Sequence, residues 1–332
     1  MSTRDSVLKA LKNNTGLFLS GEELSSQLGV SRAAVWKAIK ILREDGYRIE
    51  AATNRGYRLL KGDEGLRLSE DGVRRALPPA LEGNRIIFYD VTDSTNLRAR
   101  QLLLDCPGGR THGTVVLASQ QTAGRGRLGR SFFSPDAGIY LSIIIRPDFD
   151  MSKSILVTVA AATAVAEAIE EVCRQDAEIK WVNDIYVDGK KVCGILTEAT
   201  ANFETGQIEN LIIGIGINTS TEGFPEDLLK TAGAVSSDCT ASQLAASVIV
   251  RTLEYVEGIG KGTNFIDGYR RRSFLVGRNV TVYKGTYRQD PSGELGGIEA
   301  FAVGIDDAGG LIVRYENGIE ETLTTGEVSV RM

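Results

Sequence analysis

Hydrophobic and polar residues follow three different patterns along the 332 residues of the chain. In about the first sixty residues, apolar positions recur every three or four residues, as on amphipathic helices. The middle of the chain combines apolar runs typical of buried strands with longer helical stretches, and about the last sixty residues form short alternating segments. We therefore divide the chain into domains at residues 1–62, 63–273 and 274–332.

The first domain is predicted to contain three short helices and a two-stranded hairpin. Ser20 and Glu23 have the spacing of a capping box at the start of the second helix, and Gly29 is suited to end it. A tight turn then leads to the third helix, which is typical of a helix-turn-helix with a wing. The predicted elements are helices over Ser6–Asn13, Ser20–Gly29 and Ser31–Glu44 and strands over Tyr47–Ala52 and Gly56–Leu60.

The second domain is predicted to be a mixed sheet covered by helices, after a linker at residues 61–65. In the last predicted strand glycines alternate with isoleucines, which weakens a strand unless a ligand or another segment approaches that face. The predicted helices are Ser69–Leu77, Asn96–Leu104, Lys153–Cys173, Ala241–Tyr255 and Phe265–Arg272. The predicted strands are Arg85–Tyr89, Val115–Leu117, Gly138–Arg146, Ile179–Val187, Lys191–Glu198 and Leu211–Asn218.

The third domain is predicted to be a small SH3-like β-barrel. Its short strands are separated by turn sequences, one of them at Asp290–Gly293. The predicted strands are Val280–Tyr283, Gly297–Ile305, Leu311–Tyr315 and Glu320–Thr324. The fold class is therefore α+β, with an N-terminal winged helix-turn-helix, a central mixed sheet with helices and a C-terminal SH3-like barrel.

Composition excludes several classes of protein and site. No apolar run reaches the ~20 residues that span a bilayer, and the N-terminus lacks the apolar core of a signal peptide. We therefore expect a cytoplasmic protein with no membrane partner. The four cysteines form no CxxC pair, which argues against a disulfide framework or a zinc site. His112 is the only histidine, which excludes paired-histidine metal sites and argues against a serine–histidine triad.

The net charge of −5 hides a basic first domain. Residues 1–62 contain 11 lysines and arginines against 6 acidic residues, which indicates a nucleic-acid module on an acidic body. The third helix is expected to enter the major groove and the wing to contact the neighbouring backbone. The predicted DNA contacts are Ser31, Arg32, Ala33, Lys37 and Lys40 on the helix and Arg55 at the wing tip. A protein-interaction domain is the alternative, since winged helices also serve that role.

A glycine- and arginine-rich loop carries the strongest chemical signal. Arg125, Arg127 and Arg130 stand close together with no acidic residue between them, so the loop is predicted to bind an anion such as phosphate. Its G-x-G-x-x-G spacing also fits a dinucleotide-binding fingerprint, which requires a helix to begin inside the glycines. Residues 130–138 have the composition of a loop, which favours the anion site. An ordinary glycine-rich turn is the remaining alternative.

Two further segments are suited to a small ligand. Polar residues fill the sequence Asp93–Asn96 at the start of a predicted helix, where they either bind a ligand or only cap the helix. Gly214 and Gly216 share one face of a predicted strand, where a flat ligand has room.

Together these features resemble the family of bifunctional biotin–protein ligases and biotin-operon repressors. The winged helix, the β-barrel tail and the order of the motifs match, so the likeness covers the whole chain. The matching motifs are Asp93–Asn96, Gln121–Arg127, Lys180–Asp184, Lys191–Ile195 and Gly214–Asn218. The chain departs from the pattern at Val182, where many members have proline, and at Phe132, where some have tryptophan. Neither departure removes a charge.

The resemblance implies a class II synthetase-like catalytic domain and a two-step reaction. Biotin and ATP with Mg²⁺ would form biotinyl-5′-AMP, and the biotinyl group would pass to a lysine of a biotin carboxyl-carrier protein, such as that of acetyl-CoA carboxylase. The glycine–arginine loop would close over the adenylate and protect it from water. Bound biotinyl-AMP would also act as corepressor by promoting a homodimer that binds operator DNA.

The resemblance also assigns roles to individual residues. The catalytic residues would be Arg125, Arg127, Lys191 and Asp184, with Asp184 orienting or deprotonating the acceptor lysine. Biotin would be bound by Ser94, Thr95, Asn96, Gln121, Arg125, Gly126, Arg127, Lys191, Gly194 and Gly214. The nucleotide would be bound by Arg127, Arg130, Phe132, Asn183 and Asn218. The resemblance does not assign the metal ligands.

Three other functions stay open on the sequence. The first is a regulator that senses a small acid through an inactive catalytic domain, against which Lys191 and Asp184 argue. The second is a ligase for another acid such as lipoate, although the Gly-Arg-Gly-Arg loop favours biotin. The third is a nicotinamide-dependent oxidoreductase, which the missing helix after the glycine–arginine loop disfavours.

Overall fold

The structure is a computed structural model that describes residues 2–44, 47–60, 68–106, 109–136, 138–149, 153–201, 208–236, 240–283 and 297–330. It confirms the predicted fold class, with a winged helix, a mixed sheet with helices and a small antiparallel β-sheet. The predicted linker at residues 61–65 and the predicted turn at Asp290–Gly293 lie outside these ranges. Among the described residues, no helix is both long and apolar enough to cross a bilayer.

The winged helix forms as the local sequence signals predict. Ser20 Oγ accepts a hydrogen bond of 3.0 Å from Glu23 N, and Glu23 Oε2 accepts one of 2.7 Å from Ser20 N, which completes the capping box. Gly29 ends the second helix in the left-handed region, with a φ of 65°. The first helix begins earlier than predicted because Ser2 caps it. The elements are α1 Thr3–Asn13, α2 Gly21–Leu28, α3 Arg32–Glu44, β1 Ile49–Ala52 and β2 Gly56–Leu59.

A seven-stranded sheet forms the centre of the second domain. Its strand order is β3-β4-β5-β9-β8-β7-β6, in which β3 and β4 are parallel and the other neighbours are antiparallel. The strands are β3 Ile86–Thr92, β4 Val115–Gln121, β5 Gly138–Ile145, β6 Glu178–Lys180, β7 Asp184–Val187, β8 Lys190–Ala201 and β9 Ile208–Asn218. The helices are α4 Glu70–Ala76, α5 Thr95–Asp105, α6 Ser154–Ala168, α7 Glu226–Leu229, α8 Ala241–Glu257 and α9 Ile266–Arg271.

The two faces of this sheet pack against different helices. Because side chains alternate along a strand, Ile213 and Ile215 on β9 join the main hydrophobic core with α6 and α8, whereas Ile212 packs with Ala99 of α5. Gly214 and Gly216 have the same parity as Ile212. The glycine face is therefore the α5 face of the sheet, and the site lies there.

Two predicted elements of this domain are wrong in detail. The single strand predicted over Ile179–Val187 is two antiparallel strands, because the chain turns back after Lys180. Trp181 lies in that turn, where its indole Nε1 donates a hydrogen bond of 3.0 Å to Gly309 O of the third domain, and the Trp181–Val182 peptide bond is cis. The helix predicted through Cys173 becomes a π-helical turn after Ala168. Cys173 is also disulfide-bonded, although the cysteine spacing predicted no bridge.

The third domain is a five-stranded antiparallel sheet in the order β13-β12-β11-β10-β14. The strands are β10 Asn279–Tyr283, β11 Ile298–Ile305, β12 Leu311–Tyr315, β13 Glu320–Leu323 and β14 Glu327–Val330. The short edge strand β14 was not predicted from the sequence. Val280, Ala302 and Leu311 belong to the same hydrophobic core as the central domain. The third domain therefore packs against the central domain and can contribute residues to the site.

Candidate active site

A cavity of about 270 Å³ opens on the α5 face of the central sheet. Four sequence-distant segments of the second domain meet there with the third domain. The second domain contributes Ser94, Thr95, Asn96, Gln121, Arg125, Gly126, Arg127, Arg130, Ser131, Phe132, Lys180, Trp181, Asn183, Asp184, Lys191, Gly194, Ile195, Leu196, Gly214, Ile215 and Gly216. The third domain contributes Tyr283, Gly326 and Val328.

The lining of the cavity is strongly cationic. Its described residues include five cations and a single carboxylate, that of Asp184. The cations are Arg125, Arg127, Arg130, Lys180 and Lys191. Because a partly enclosed cavity screens charge less than open water does, this excess favours an anionic ligand.

Strands β7 and β8 place the only carboxylate of this lining against a lysine. Lys191 Nζ lies 2.7 Å from Asp184 Oδ1. The adjacent Asn183 accepts a hydrogen bond of 3.2 Å from Arg127 Nη1 and donates one of 2.8 Å to Ile195 O. The sheet thereby holds a lysine, a carboxylate and one arginine of the glycine–arginine loop in fixed positions.

The glycine–arginine loop, residues 124–130, folds back on itself without starting a long helix. Gly126 N donates a hydrogen bond of 2.7 Å to Arg130 O, and Phe132 N donates one of 2.9 Å to Gly124 O. Only one turn of 3₁₀-helix follows, over Arg127–Gly129. The dinucleotide fingerprint requires a longer helix at this point, so its geometric condition is not met. Arg125 is exposed and makes no ion pair with any residue of the described ranges.

Glycines form the floor of the cavity, and side chains of the same chain lie directly over them. A Cβ at Gly216 would be 2.6 Å from the Phe132 ring, and one at Gly194 would be 3.1 Å from it. A Cβ at Gly214 would be 2.2 Å from Asn96 Oδ1. The two glycines of β9 thus allow an aromatic ring and an amide to approach the sheet. Room for the rings of a ligand at Gly194 and Gly214 stays a prediction.

The polar end of the cavity lies at the start of α5. Ser94 is the N-cap residue, yet its side chain makes no capping hydrogen bond. Gln121 Oε1 instead accepts a hydrogen bond of 2.8 Å from Thr95 N, and Gln121 Nε2 donates one of 3.0 Å to Ser134 Oγ. Gln121, at the end of β4, therefore accepts the hydrogen bond of an otherwise unpaired N–H at the start of α5. The buried Ser94 hydroxyl is not used as a cap. This arrangement favours a ligand-binding role over capping.

Asp93 anchors this polar end from outside the cavity. Its carboxylate accepts a hydrogen bond of 2.6 Å from Ser94 N and pairs with Arg98 at 3.0 Å. Partial burial raises the pKa of Asp93. Hydrogen bonds from Ser94 N and the Thr92 hydroxyl, with the charge of Arg98, outweigh it and lower the pKa below its ordinary value.

All but one of the predicted catalytic, biotin and nucleotide residues line this single cavity. The exception is Asn218, which is buried and donates a hydrogen bond of 3.0 Å to Gly233 O. The lining residues Ser131, Tyr283, Gly326 and Val328 lie outside the sequence motifs. The last three lie in the third domain, so only tertiary packing brings them to the site.

The winged helix presents a separate basic surface. Lys37 and Lys40 of α3 are exposed, as are Ser31, Arg32 and Ala33. Ser31 Oγ also caps α3, since it accepts a hydrogen bond of 3.1 Å from Ala34 N.

Two aromatic residues accompany this basic surface. Trp36 is 60% exposed on α3 beside the lysines and was not among the predicted contacts. At the wing tip, the Arg55 guanidinium lies 4.3 Å from the centroid of the Phe18 ring, a cation–π contact that restricts its direction.

Comparison with known proteins gives matches over all three domains. The model of the "HTH domain" matches residues 3–58, that of the "Biotin/lipoate A/B protein ligase family" matches residues 90–218, and that of the "Biotin protein ligase C terminal domain" matches residues 293–331. The winged helix, the cavity-bearing sheet and the small β-sheet therefore each have a counterpart.

Similar proteins match almost the whole length of the chain. The bifunctional ligase/repressor BirA of Bacillus subtilis (strain 168) is 36% identical over 312 residues, covering 92% of this chain and 91% of that protein. BirA of Escherichia coli (strain K12) is 30% identical over 326 residues, covering 95% and 94%. The biotin protein ligase from Aquifex aeolicus in complex with biotin and ATP superposes with a TM-score of 0.60 at 27% identity, covering 74% of this chain and 98% of that one. The chain thus belongs to the family of bifunctional biotin–protein ligases and repressors.

Proposed function

We propose that the chain forms biotinyl-5′-AMP from biotin and ATP and transfers the biotinyl group to a lysine of a biotin carboxyl-carrier protein. The observation that carries this proposal is the cavity itself, in which a polar end of hydroxyl and amide groups adjoins a cluster of five cations. The polar end suits the neutral cyclic urea of biotin. The cations suit the biotin carboxylate and the phosphates of ATP. The A. aeolicus relative, which holds biotin and ATP, supports the same pairing.

In the first step, an oxygen of the biotin carboxylate attacks the α-phosphorus of ATP and pyrophosphate leaves. Negative charge accumulates on the phosphoryl oxygens, so cations held in place before the reaction stabilise the transition state most. We assign this role to Arg125, Arg127 and Lys191. The hydrogen bond of Arg127 to Asn183 and the ion pair of Lys191 with Asp184 hold two of the three in position.

In the second step, the neutral amine of the acceptor lysine attacks the carbonyl carbon of the mixed anhydride, and AMP leaves. The attacking amine must lose a proton and must approach in the correct direction. Asp184 is the only carboxylate in the described lining of the cavity, so we assign to it the orientation of the amine or the acceptance of its proton. The glycine–arginine loop, which would cover the adenylate in this step, limits hydrolysis of the anhydride.

Mg²⁺ fits this site only as a companion of ATP. In the part of the chain that the structure describes, no three metal-ligating side chains come together. Mg²⁺ usually keeps several waters and binds one or two carboxylates together with substrate phosphates. Asp184 and the amide of Asn183 are the residues that would meet such an ion, which would neutralise charge on the phosphates.

The basic winged helix supports a second proposed function, the repression of biotin genes. The exposed lysines of α3 would enter the major groove of an operator, and Arg55 would contact the flanking backbone. Biotinyl-AMP would act as corepressor by stabilising a homodimer, which pairs two winged helices on a two-fold site. With these functions we propose a cytoplasmic protein whose partners are biotin, the carrier protein and DNA.

Streptavidin blotting tests the ligase function directly. A purified carrier domain is incubated with this protein, biotin and ATP, and labelling of the carrier is expected only when all components are present. Replacing biotin with lipoate distinguishes a ligase for another acid, and replacing the acceptor lysine of the carrier with arginine controls for non-specific acylation.

Pyrophosphate exchange separates an enzyme from a sensor. Exchange that depends on both biotin and ATP is expected, because the first step is reversible. No exchange and no carrier labelling would leave only a ligand-sensing regulator. Tight binding of a nicotinamide dinucleotide would instead revive the oxidoreductase interpretation.

A further inference from the structure

Two side chains that do not line the cavity contact a residue at its polar end. Ser142 on β5 and Glu198 on β8 both contact Asn96, and Ser142 is fully buried. Glu198 Oε2 accepts a hydrogen bond of 2.7 Å from Asn96 Nδ2, and Oε1 accepts one of 2.7 Å from Arg100 Nη2. A row of polar groups therefore runs from a guanidinium near the surface, through a carboxylate and an amide, to the hydroxyls of the cavity.

Glu198 fixes the orientation of the Asn96 amide. A carboxylate paired with arginine only accepts hydrogen bonds, and the carbonyl of Leu196, 3.5 Å from Asn96 Nδ2, also only accepts. The amide nitrogen must therefore face Glu198, and the amide oxygen must face Ser142 Oγ, 2.6 Å away. Because the amide oxygen carries no proton, the Ser142 hydroxyl must donate to it.

The single proton of Ser142 then determines the role of Thr95. Ser142 Oγ also lies 2.8 Å from Thr95 Oγ1, and a hydroxyl donates only one hydrogen bond. Because Ser142 donates its proton to Asn96, the contact between Ser142 and Thr95 can be a hydrogen bond only if Thr95 donates to Ser142 Oγ. Gln121 Oε1 is a weaker second acceptor, because it lies 3.2 Å from Thr95 Oγ1, longer than an ordinary O–H···O hydrogen bond, and already accepts from Thr95 N at 2.8 Å. Either way the Thr95 proton is used within the protein, and Thr95 Oγ1 presents only lone pairs to the cavity.

We propose that Glu198 is a positioning residue that makes Thr95 a hydrogen-bond acceptor and thereby selects substrates with an N–H donor at this end of the cavity. The inference rests on the proposed function, since the cyclic urea of biotin carries two N–H groups. A buried acceptor rejects an analogue that lacks the matching donor, because the acceptor is then left unpaired.

Glu198→Gln is expected to reverse the donor–acceptor direction of the hydrogen bonds in this row, and it leaves the size of the side chain almost unchanged. Arg100 can only donate, so the oxygen of the new glutamine turns to Arg100 and its NH₂ group turns to Asn96. Asn96 must then turn its own oxygen toward position 198 and its nitrogen toward Ser142. Ser142 now donates to Thr95 and no longer needs the Thr95 proton. That proton can then turn toward the cavity, where only the longer contact to Gln121 Oε1 competes for it. Adding Arg100→Ala lets the glutamine oxygen accept from Asn96 again, which restores the original polarity.

Pyrophosphate exchange with biotin and two analogues tests the direction of these hydrogen bonds. Wild type, Glu198→Gln and the double variant are assayed with biotin and with the two cyclic carbamates in which one ureido N–H is replaced by oxygen. We expect Glu198→Gln to raise the KM for biotin about tenfold, the cost of one mismatched buried hydrogen bond. The KM for ATP should stay within about twofold, and the preference for biotin over one carbamate should shrink. The double variant should recover most of both losses.

Two controls make the outcome decisive. Arg100→Ala alone should keep a biotin KM close to that of wild type, because Glu198 still accepts from Asn96, and equal melting temperatures exclude misfolding. A wild-type biotin KM in Glu198→Gln, or a double variant as impaired as the single one, overturns the positioning role while biotin ligation stands. No biotin-dependent exchange by the wild-type protein overturns the proposed function itself.

Discussion

Lys191 Nζ lies 2.7 Å from Asp184 Oδ1, and the two residues stand on the neighbouring strands β8 and β7. Because this is the only carboxylate among the described residues of a cavity with five cations, the pair does more than balance charge. We propose that it holds the ammonium group in position to bind a phosphoryl or carboxylate oxygen of the substrates. We also propose that it keeps the Asp184 carboxylate within reach of the acceptor amine.

Replacing the two members of this pair should affect different steps. Lys191→Met removes a cation, so adenylate formation should fall by about 100-fold or more, as for the loss of one preorganised donor. Asp184→Asn removes the carboxylate but leaves the Lys191 cation in the cavity. It should therefore slow transfer to the carrier more than it slows adenylation. Pyrophosphate exchange measures the first step, and single-turnover transfer from preformed biotinyl-AMP measures the second. Equal losses in both assays for both variants would contradict separate roles.

Arg127→Ala should abolish most adenylation and spare DNA binding. The guanidinium is held by Asn183 in the cavity, and its loss should cost on the order of 3 kcal/mol of transition-state stabilisation. The winged helix is a separate unit with its own core, so the unliganded protein should bind DNA as before. Arg146→Ala, which removes an exposed arginine outside the cavity, is the matched control. Wild-type turnover in Arg127→Ala would remove Arg127 from the mechanism.

Lys37→Ala combined with Lys40→Ala should weaken operator binding without affecting ligation. Each phosphate contact that is lost should reduce the slope of log affinity against log salt by about one. Lys230→Ala with Lys261→Ala changes the net charge equally on the second domain, where both lysines are exposed, and should leave the slope unchanged. Titration of a fluorescent operator at several salt concentrations provides the measurement. Identical slopes for the two double variants would favour the protein-interaction interpretation of the winged helix.

Local signals predicted the parts of this structure that depend on local chemistry. The capping box of Ser20 and Glu23 and the left-handed Gly29 are satisfied within a few residues of each other, so the sequence suffices to place them. The glycine spacing on β9 likewise indicated a close approach, although the sequence could not tell that Asn96 and Phe132 would be the approaching groups.

Features that depend on tertiary contacts were missed for a physical reason. The strand predicted over Ile179–Val187 breaks at Trp181, whose indole donates a hydrogen bond to Gly309 O in another domain, and no local pattern encodes that partner. Glu198 and Ser142 are remote in sequence from the motifs they support, so only the folded sheet shows that both contact Asn96. Asn218, in contrast, belongs to a recognised motif, yet its side chain turns to Gly233 outside the cavity.

The two free cysteines should differ sharply in reactivity. Burial raises the pKa of the Cys193 thiol well above its ordinary value, and the nearby charge of Lys191 does not offset it. Because the thiolate is the nucleophile and a raised pKa keeps the thiol protonated, Cys193 should resist iodoacetamide between pH 7 and about 9, whereas the exposed Cys106 should react. Mass spectrometry of native and urea-unfolded protein measures both. Labelling of native Cys193 at the rate of Cys106 would contradict its burial beneath the cavity floor.

Gly214→Ala should disrupt the polar end of the cavity and lower stability together. Its Cβ would be 2.2 Å from Asn96 Oδ1, so Asn96 must leave its contacts with Ser142 and Glu198 or β9 must shift. Overpacking of this kind typically costs about 1–3 kcal/mol, and we expect a lower melting temperature together with a raised KM for biotin. Gly304→Ala is the matched control, because nothing lies within 4 Å of a Cβ at that strand position. If Gly214→Ala keeps both the melting temperature and the biotin KM of Gly304→Ala, then Asn96 is free to move, and the close approach of Asn96 to the sheet is not required for binding.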